Sequence, residues 1–155
     1  MDLLEFKDAL SLLEYFILIE TSKVNYKVSS VAPSTFKEMV EVRQRLGYFI
    51  ILKDTSNGSI YSAPEINEAF RALHDKMHYE TGLKFTYKDE KRLSEITALK
   101  VFKWLRSGGI DKNRAYNAFK IVREEIKGQI EHYERFGRFV DNQENYIKER
   151  LGIAA

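Results

Sequence analysis

Apolar residues recur every three or four positions along most of the chain, the spacing of helices that bury one stripe. Leu3, Phe6, Leu10, Leu13, Phe16 and Ile17 mark the first such helix. A polar stretch from Thr21 to Pro33 follows, in which Val24, Tyr26 and Val28 alternate as in a short strand. Ser34 or Thr35 then caps a second helix, with Glu38 placed for a capping box and Gly47 near its end. Tyr48 to Leu52 is β-branched and aromatic, Asn57-Gly58 is a turn signal, and Ser59 to Ser62 could return as a second arm, so a hairpin is expected there.

From Pro64 the helical period resumes. Pro64 suits a first turn and Ser62 stands as its cap. Ile66, Phe70, Leu73 and Met77 form the stripe, and Gly82 ends it. A further helix is predicted from Thr86 to about Arg106, broken by Ser107-Gly108-Gly109. Asp111 caps the longest one, with Ala115, Phe119, Val122, Ile126, Ile130 and Tyr133 as its stripe and Gly137 at its end. Asp141 caps a last short helix running to about Leu151. The expectation is a mainly α domain of about five to six helices, with at most a small two- or three-stranded sheet around Tyr48 to Ser62. Residues 1–155 read as one domain: N-terminal helices and the hairpin over 1–60, and a motif-bearing helical part over 61–151.

Composition narrows the function classes. The chain has 155 residues and no cysteine, which excludes disulfides, thiolate metal sites and a cysteine nucleophile. Lysine and arginine number 25 against 23 acids, a balance that gives no push toward nucleic acid or an anionic membrane. Basic clusters such as Lys84, Lys88, Lys91 and Arg92 are interleaved with Asp89 and Glu95, as on a solvated face, so nucleic acid is not an expected partner. The first helix lacks a basic leader and a small-residue cleavage site, so no signal peptide is expected, and no uncharged run is long enough to span a bilayer.

The candidate chemistry centres on His74-Asp75-Lys76-Met77-His78. Residues four apart on a helix lie about 40° apart around its axis, so His74 and His78 can share one metal ion. Neutral imidazoles with a carboxylate suit zinc, iron or manganese. Asp75 points about 100° away from His74, which suits a binding group that supports the ligands or a ligand to a second ion. Glu125, Gln129 and His132 share one face of the long helix, with Gly128 in its middle, and Glu90 falls in the first turn of its own helix. Glu90 and Glu125 are the candidate general bases; Asp75, Gln129 and His132 are candidate binding groups. The bland alternative is that the same groups form a hydrogen-bonded network at the core boundary, or solvated helix faces.

The run Tyr61, Pro64-Glu65, Asn67, Phe70-Arg71-Ala72, His74-Asp75, His78, Gly82, Phe85 and Glu90, followed by Glu125-Ile126, Gly128-Gln129, Gly137, Phe139 and Gln143, resembles a family of short proteins encoded in bacteriophage genomes. The resemblance covers roughly residues 61–151. It implies that His74, Asp75, His78, Glu90, Glu125 and Gln129 occupy the family's polar motif positions, with no clear counterpart for His132. It also implies a setting in the cytoplasm of the bacterial host or in the virion, and it implies no activity. The His-Asp pair is similar to that of the HD phosphohydrolases, but no histidine precedes His74, which argues against their standard ligand set. Two functions follow. One is a metal-dependent hydrolase in which a metal-polarised water attacks a phosphoester or amide. The other is a non-enzymatic phage protein, a virion component or an inhibitor of a host protein, whose polar cluster is structural.

Overall fold

A computed structural model describes residues 1–55 and 58–154 of the chain. Six helices and two strands follow in the order α1 (Leu3–Thr21), β1 (Tyr26–Ser29), α2 (Phe36–Leu46), β2 (Phe49–Leu52), α3 (Pro64–Thr81), α4 (Tyr87–Ser107), α5 (Lys112–Phe136) and α6 (Gln143–Arg150). No described helix is long and apolar enough to cross a membrane.

The helix ends follow local chemistry. Thr35, Thr86 and Asp111 each accept the backbone N–H three residues on, at the starts of α2, α4 and α5. Two predicted caps differ by one residue. Ala63, not Ser62, precedes α3, because the Ser62 N–H and hydroxyl both bind the Glu14 carboxylate of α1, at 2.7 and 2.9 Å. Asn142 rather than Asp141 caps α6, accepting the Asn145 N–H.

The main core gathers Phe6, Leu13, Phe16 and Ile17 of α1, Phe70 and Leu73 of α3, Val101 and Leu105 of α4, Ile121 and Val122 of α5, and Ile147 of α6, all buried. Each such side chain contributes about 1.5–3 kcal/mol relative to exposure. A smaller core forms on another face of α3, where Ala72 meets Met39 of α2 and Phe49 and Ile51 of β2. Helix α3 is therefore packed on two sides, and its remaining face carries Arg71, His74, Asp75 and His78 at helical offsets of three, four and seven.

The expected hairpin is replaced by a parallel pair. β2 lies beside β1, in register Tyr26 with Phe49 through Ser29 with Leu52. A parallel pair needs a long crossover, which α2 provides. The expected return arm is not a strand: Ile60 and Tyr61 turn into the main core, and Ser62 is held by Glu14. Asn57 of the expected turn lies outside the described residues. Gly58 meets the α5–α6 connection so closely that any Cβ would collide with the Asp141 carbonyl, and its own carbonyl accepts the Gln143 N–H at 2.7 Å.

Candidate metal centre

The turn after α3 builds the site. Gly82 closes the helix in the left-handed region (φ 73°), its N–H bonded to the His78 carbonyl, and the chain reverses through Leu83 to Phe85 into α4. This places Glu90, in the first turns of α4, against the two histidines of α3. Glu90 Oε2 lies 2.9 Å from His74 Nε2, Glu90 Oε1 lies 2.8 Å from His78 Nε2, and the two Nε2 atoms are 3.1 Å apart. Ligands about 2.0–2.1 Å from one ion stand about 2.9 Å apart at right angles and about 3.3 Å apart in a tetrahedron, so small shifts from these hydrogen-bond distances would admit an ion.

A backbone carbonyl orients His78. Its Nδ1 lies 2.6 Å from the Leu83 carbonyl, which only accepts, so Nδ1 carries the proton and Nε2 is directed at the cluster. The ring is fully buried, edge-on to Phe85 and to His74. His74 stacks on Phe70, and its Nδ1 is buried with no partner. Without a cation, His78 Nε2 needs a proton to meet Glu90, and so does His74 Nε2. Two N–H groups would then face each other at 3.1 Å, or share one proton. One ion shared by the two Nε2 atoms and a Glu90 oxygen would remove that conflict.

The cluster opens onto a cavity of about 470 Å³ between α3 and α5. β2, the 32–33 turn and the segment leading into α6 form its other walls. Phe70, Arg71, His74 and Asp75 face Glu125, Ile126, Gln129 and Ile130 across it. The two polar helix faces thus look at each other over a void instead of packing together. Glu125 is 6% exposed and has no hydrogen-bond partner among the described residues. Gln129 Oε1 accepts the Val140 N–H at 3.1 Å, which fixes the amide, so Nε2 is the donor end, and it is buried and unpaired.

Electrostatics divide the carboxyls. Burial pushes Glu125 up to about 7 and Asp75 up to about 6, the latter moderated by His74 and His78. Burial alone would raise Glu90 too, but His74 and His78 beside it bring it down to about 2. Burial opposes a charge on His74, and Glu90 outweighs it, so the imidazole is held above its ordinary value. The arrangement separates an ionised candidate ligand, Glu90, from a carboxyl, Glu125, that burial raises to about 7.

No family model, curated protein or solved structure matches the chain. The assignment of function therefore stands on the geometry.

His74, His78 and Glu90 converge as candidate ligands; Asp75, Glu125 and Gln129 line the same cavity. His132 does not join them. Its Nδ1 lies 2.7 Å from the Arg138 carbonyl and its ring packs on Phe136 and Tyr146, so it braces the turn between α5 and α6. Helical phase puts it on the Glu125 face, but seven residues carry it about 10 Å further along the axis. Gly128 admits the Tyr146 ring and the Arg150 side chain of α6. Arg71 is the cavity residue that spacing could have found: it precedes Asp75 by four and His78 by seven on α3. Its Nη1 donates to the Leu52 carbonyl at 3.0 Å.

Proposed function

We propose that His74, His78 and Glu90 hold a divalent metal ion, zinc, iron or manganese, and that the protein is a metal-dependent hydrolase. The observation that carries this reading is the convergence of His74 Nε2, His78 Nε2 and the Glu90 carboxylate to within 2.8–3.1 Å of one another at the wall of a cavity. A facial set of two histidines and one carboxylate leaves coordination positions for water and substrate. Bound there, the ion lowers the pKa of a water molecule toward neutrality and polarises the bond to be cleaved. Glu125 faces the same cavity, and burial raises its carboxyl to about 7, so with the ion bound it would be the residue to take a proton from water and return one to the leaving group. Asp75, next to His74 and free of hydrogen bonds among the described residues, adds negative potential that favours the cation. The resemblance to bacteriophage-encoded proteins suggests the cytoplasm of the bacterial host, or the virion, as the place of action.

The test is turnover with the metal in place. Protein loaded with zinc or manganese is assayed on p-nitrophenyl phosphate, bis(p-nitrophenyl) phosphate and amino-acid p-nitroanilides. Glu125→Gln should keep its metal and lose about 10²–10⁴ in rate. Full activity in that variant, or no hydrolysis by any metal-loaded form, refutes the hydrolase and leaves the cluster as a metal-binding or structural element of a virion component or an inhibitor of a host protein.

A further inference from the structure

The cavity lining carries unpaired acceptors, on Asp75, Glu125 and Gln143, and unpaired donors of a different set of residues. Arg71 uses one N–H on the Leu52 carbonyl, and its other donors have no hydrogen-bond or ion-pair partner among the described residues. It feels the charges of Asp75 and Glu125 yet forms an ion pair with neither. Gln129 presents a buried amide N–H₂ whose orientation the Val140 N–H fixes. If His74 Nε2 binds a metal, its buried Nδ1 carries a proton, and that too lacks a partner. Three cavity residues on two helices therefore hold unspent donors, and Arg71 is anchored before any ligand arrives. The His74 and Gln129 donors are buried, and buried donors left unpaired cost free energy unless a ligand with acceptors occupies the space; the Arg71 donors are half-exposed.

We propose that the substrate is a small organic phosphoester, its phosphoryl oxygens held between the metal and the free donors of Arg71 and Gln129. This rests on the metal reading above. A phosphoryl group is all acceptor, and the guanidinium fork matches two of its oxygens while a third faces the ion. A neutral amide offers one acceptor and no charge to the guanidinium, and its own N–H would go to Asp75, Glu125 or the buried, unpaired Gln143 Oε1 on the same lining. Ile50, Leu52, Ile126 and Ile130 give the ester's organic group an apolar wall, and the cavity volume suits a small molecule rather than a polymer segment. In hydrolysis the oxygen of water bonds to phosphorus and the P–O bond to the alcohol breaks. One proton of that water leaves with the alcohol and the other stays on the inorganic phosphate.

The experiment uses the full chain loaded with Mn²⁺, with inorganic phosphate as the probe. Manganese bound at the site broadens the ³¹P resonance of phosphate held beside it, and a titration gives the affinity. Wild type should broaden the resonance. Arg71→Met should keep its manganese and lose at least about tenfold in phosphate affinity, the worth of a charged hydrogen bond, and Arg71→Lys should fall between. Should Arg71→Met not fold, the combination of Gln129→Leu with Arg71→Lys should show the same loss. Phosphate binding unchanged in these variants, no broadening in wild type carrying manganese, or acetate competing as well as phosphate each overturns the phosphoester assignment and leaves the metal centre standing. A wild type that takes up no manganese overturns the metal centre, and this inference with it.

Discussion

Replacing Glu125 by glutamine removes a buried carboxyl that is uncomfortable when ionised. Burial raises its pKa from 4.5 to about 7. A raised acid binds its proton more tightly in the folded state than in the unfolded chain. The folded state is therefore favoured fully below pH 4.5 and loses that advantage as pH rises through about 7. A shift of this size, at about 1.4 kcal/mol per unit, means that the ionised carboxyl costs the wild type about 3 kcal/mol at about pH 8. Glu125→Gln has no such proton to lose. Urea melts of both proteins, run from about pH 4.5 to 8 with chelator present, should show the variant gaining about 3 kcal/mol on wild type across the window. Titrations common to both, such as those of Asp75 and Glu90, largely cancel in the difference. Saturating divalent metal should shrink the gain, because a nearby cation stabilises the carboxylate. A stability difference independent of pH refutes the burial of an unpaired carboxyl at this site.

Two further substitutions probe the frame. Gly58→Ala drives a Cβ into the Asp141 carbonyl and should lower stability by about 1–3 kcal/mol in thermal or urea melts; an unchanged melt would show that the 58–143 contact is not as tight as described. Leu73→Ala, in the main core on the side of α3 away from the histidines, should cost about 2–5 kcal/mol while leaving metal stoichiometry intact, and a loss of metal binding would contradict the separation of core face and site face.

What the sequence revealed was local. The six helices follow from stripes and caps within a few residues, and His74 and His78 share a ligand face because four residues make about one turn. Glu90 was legible as a candidate through its place after the Gly82 break and the Thr86 cap, both short-range signals. Strand pairing was not, because it depends on contacts distant in sequence. The run after Asn57-Gly58 reads like a return strand, but Glu14, 48 positions before Ser62, captures it, and β2 pairs with β1 instead. Helical phase gave the right face for Glu125 and Gln129 and could not say where along that face the cavity ends. Val140 covers Gln129, and His132 falls beyond it. Beyond its helical spacing, Arg71 has no short-range signal of a site role, since its bond to Leu52 exists only once β2 lies beside α3.

The central claim is that one cation belongs between His74, His78 and Glu90. Elemental analysis of untagged protein, purified without chelator and then dialysed against zinc or manganese, measures it directly. Wild type should hold one ion per chain, His74→Ala/His78→Ala and Glu90→Ala should hold none, and bound metal should raise the wild-type melting temperature by mass action. The contradicting result is a wild type with no bound metal and a melt indifferent to chelator, together with a double variant that melts lower because the half-buried Glu90 loses both partners.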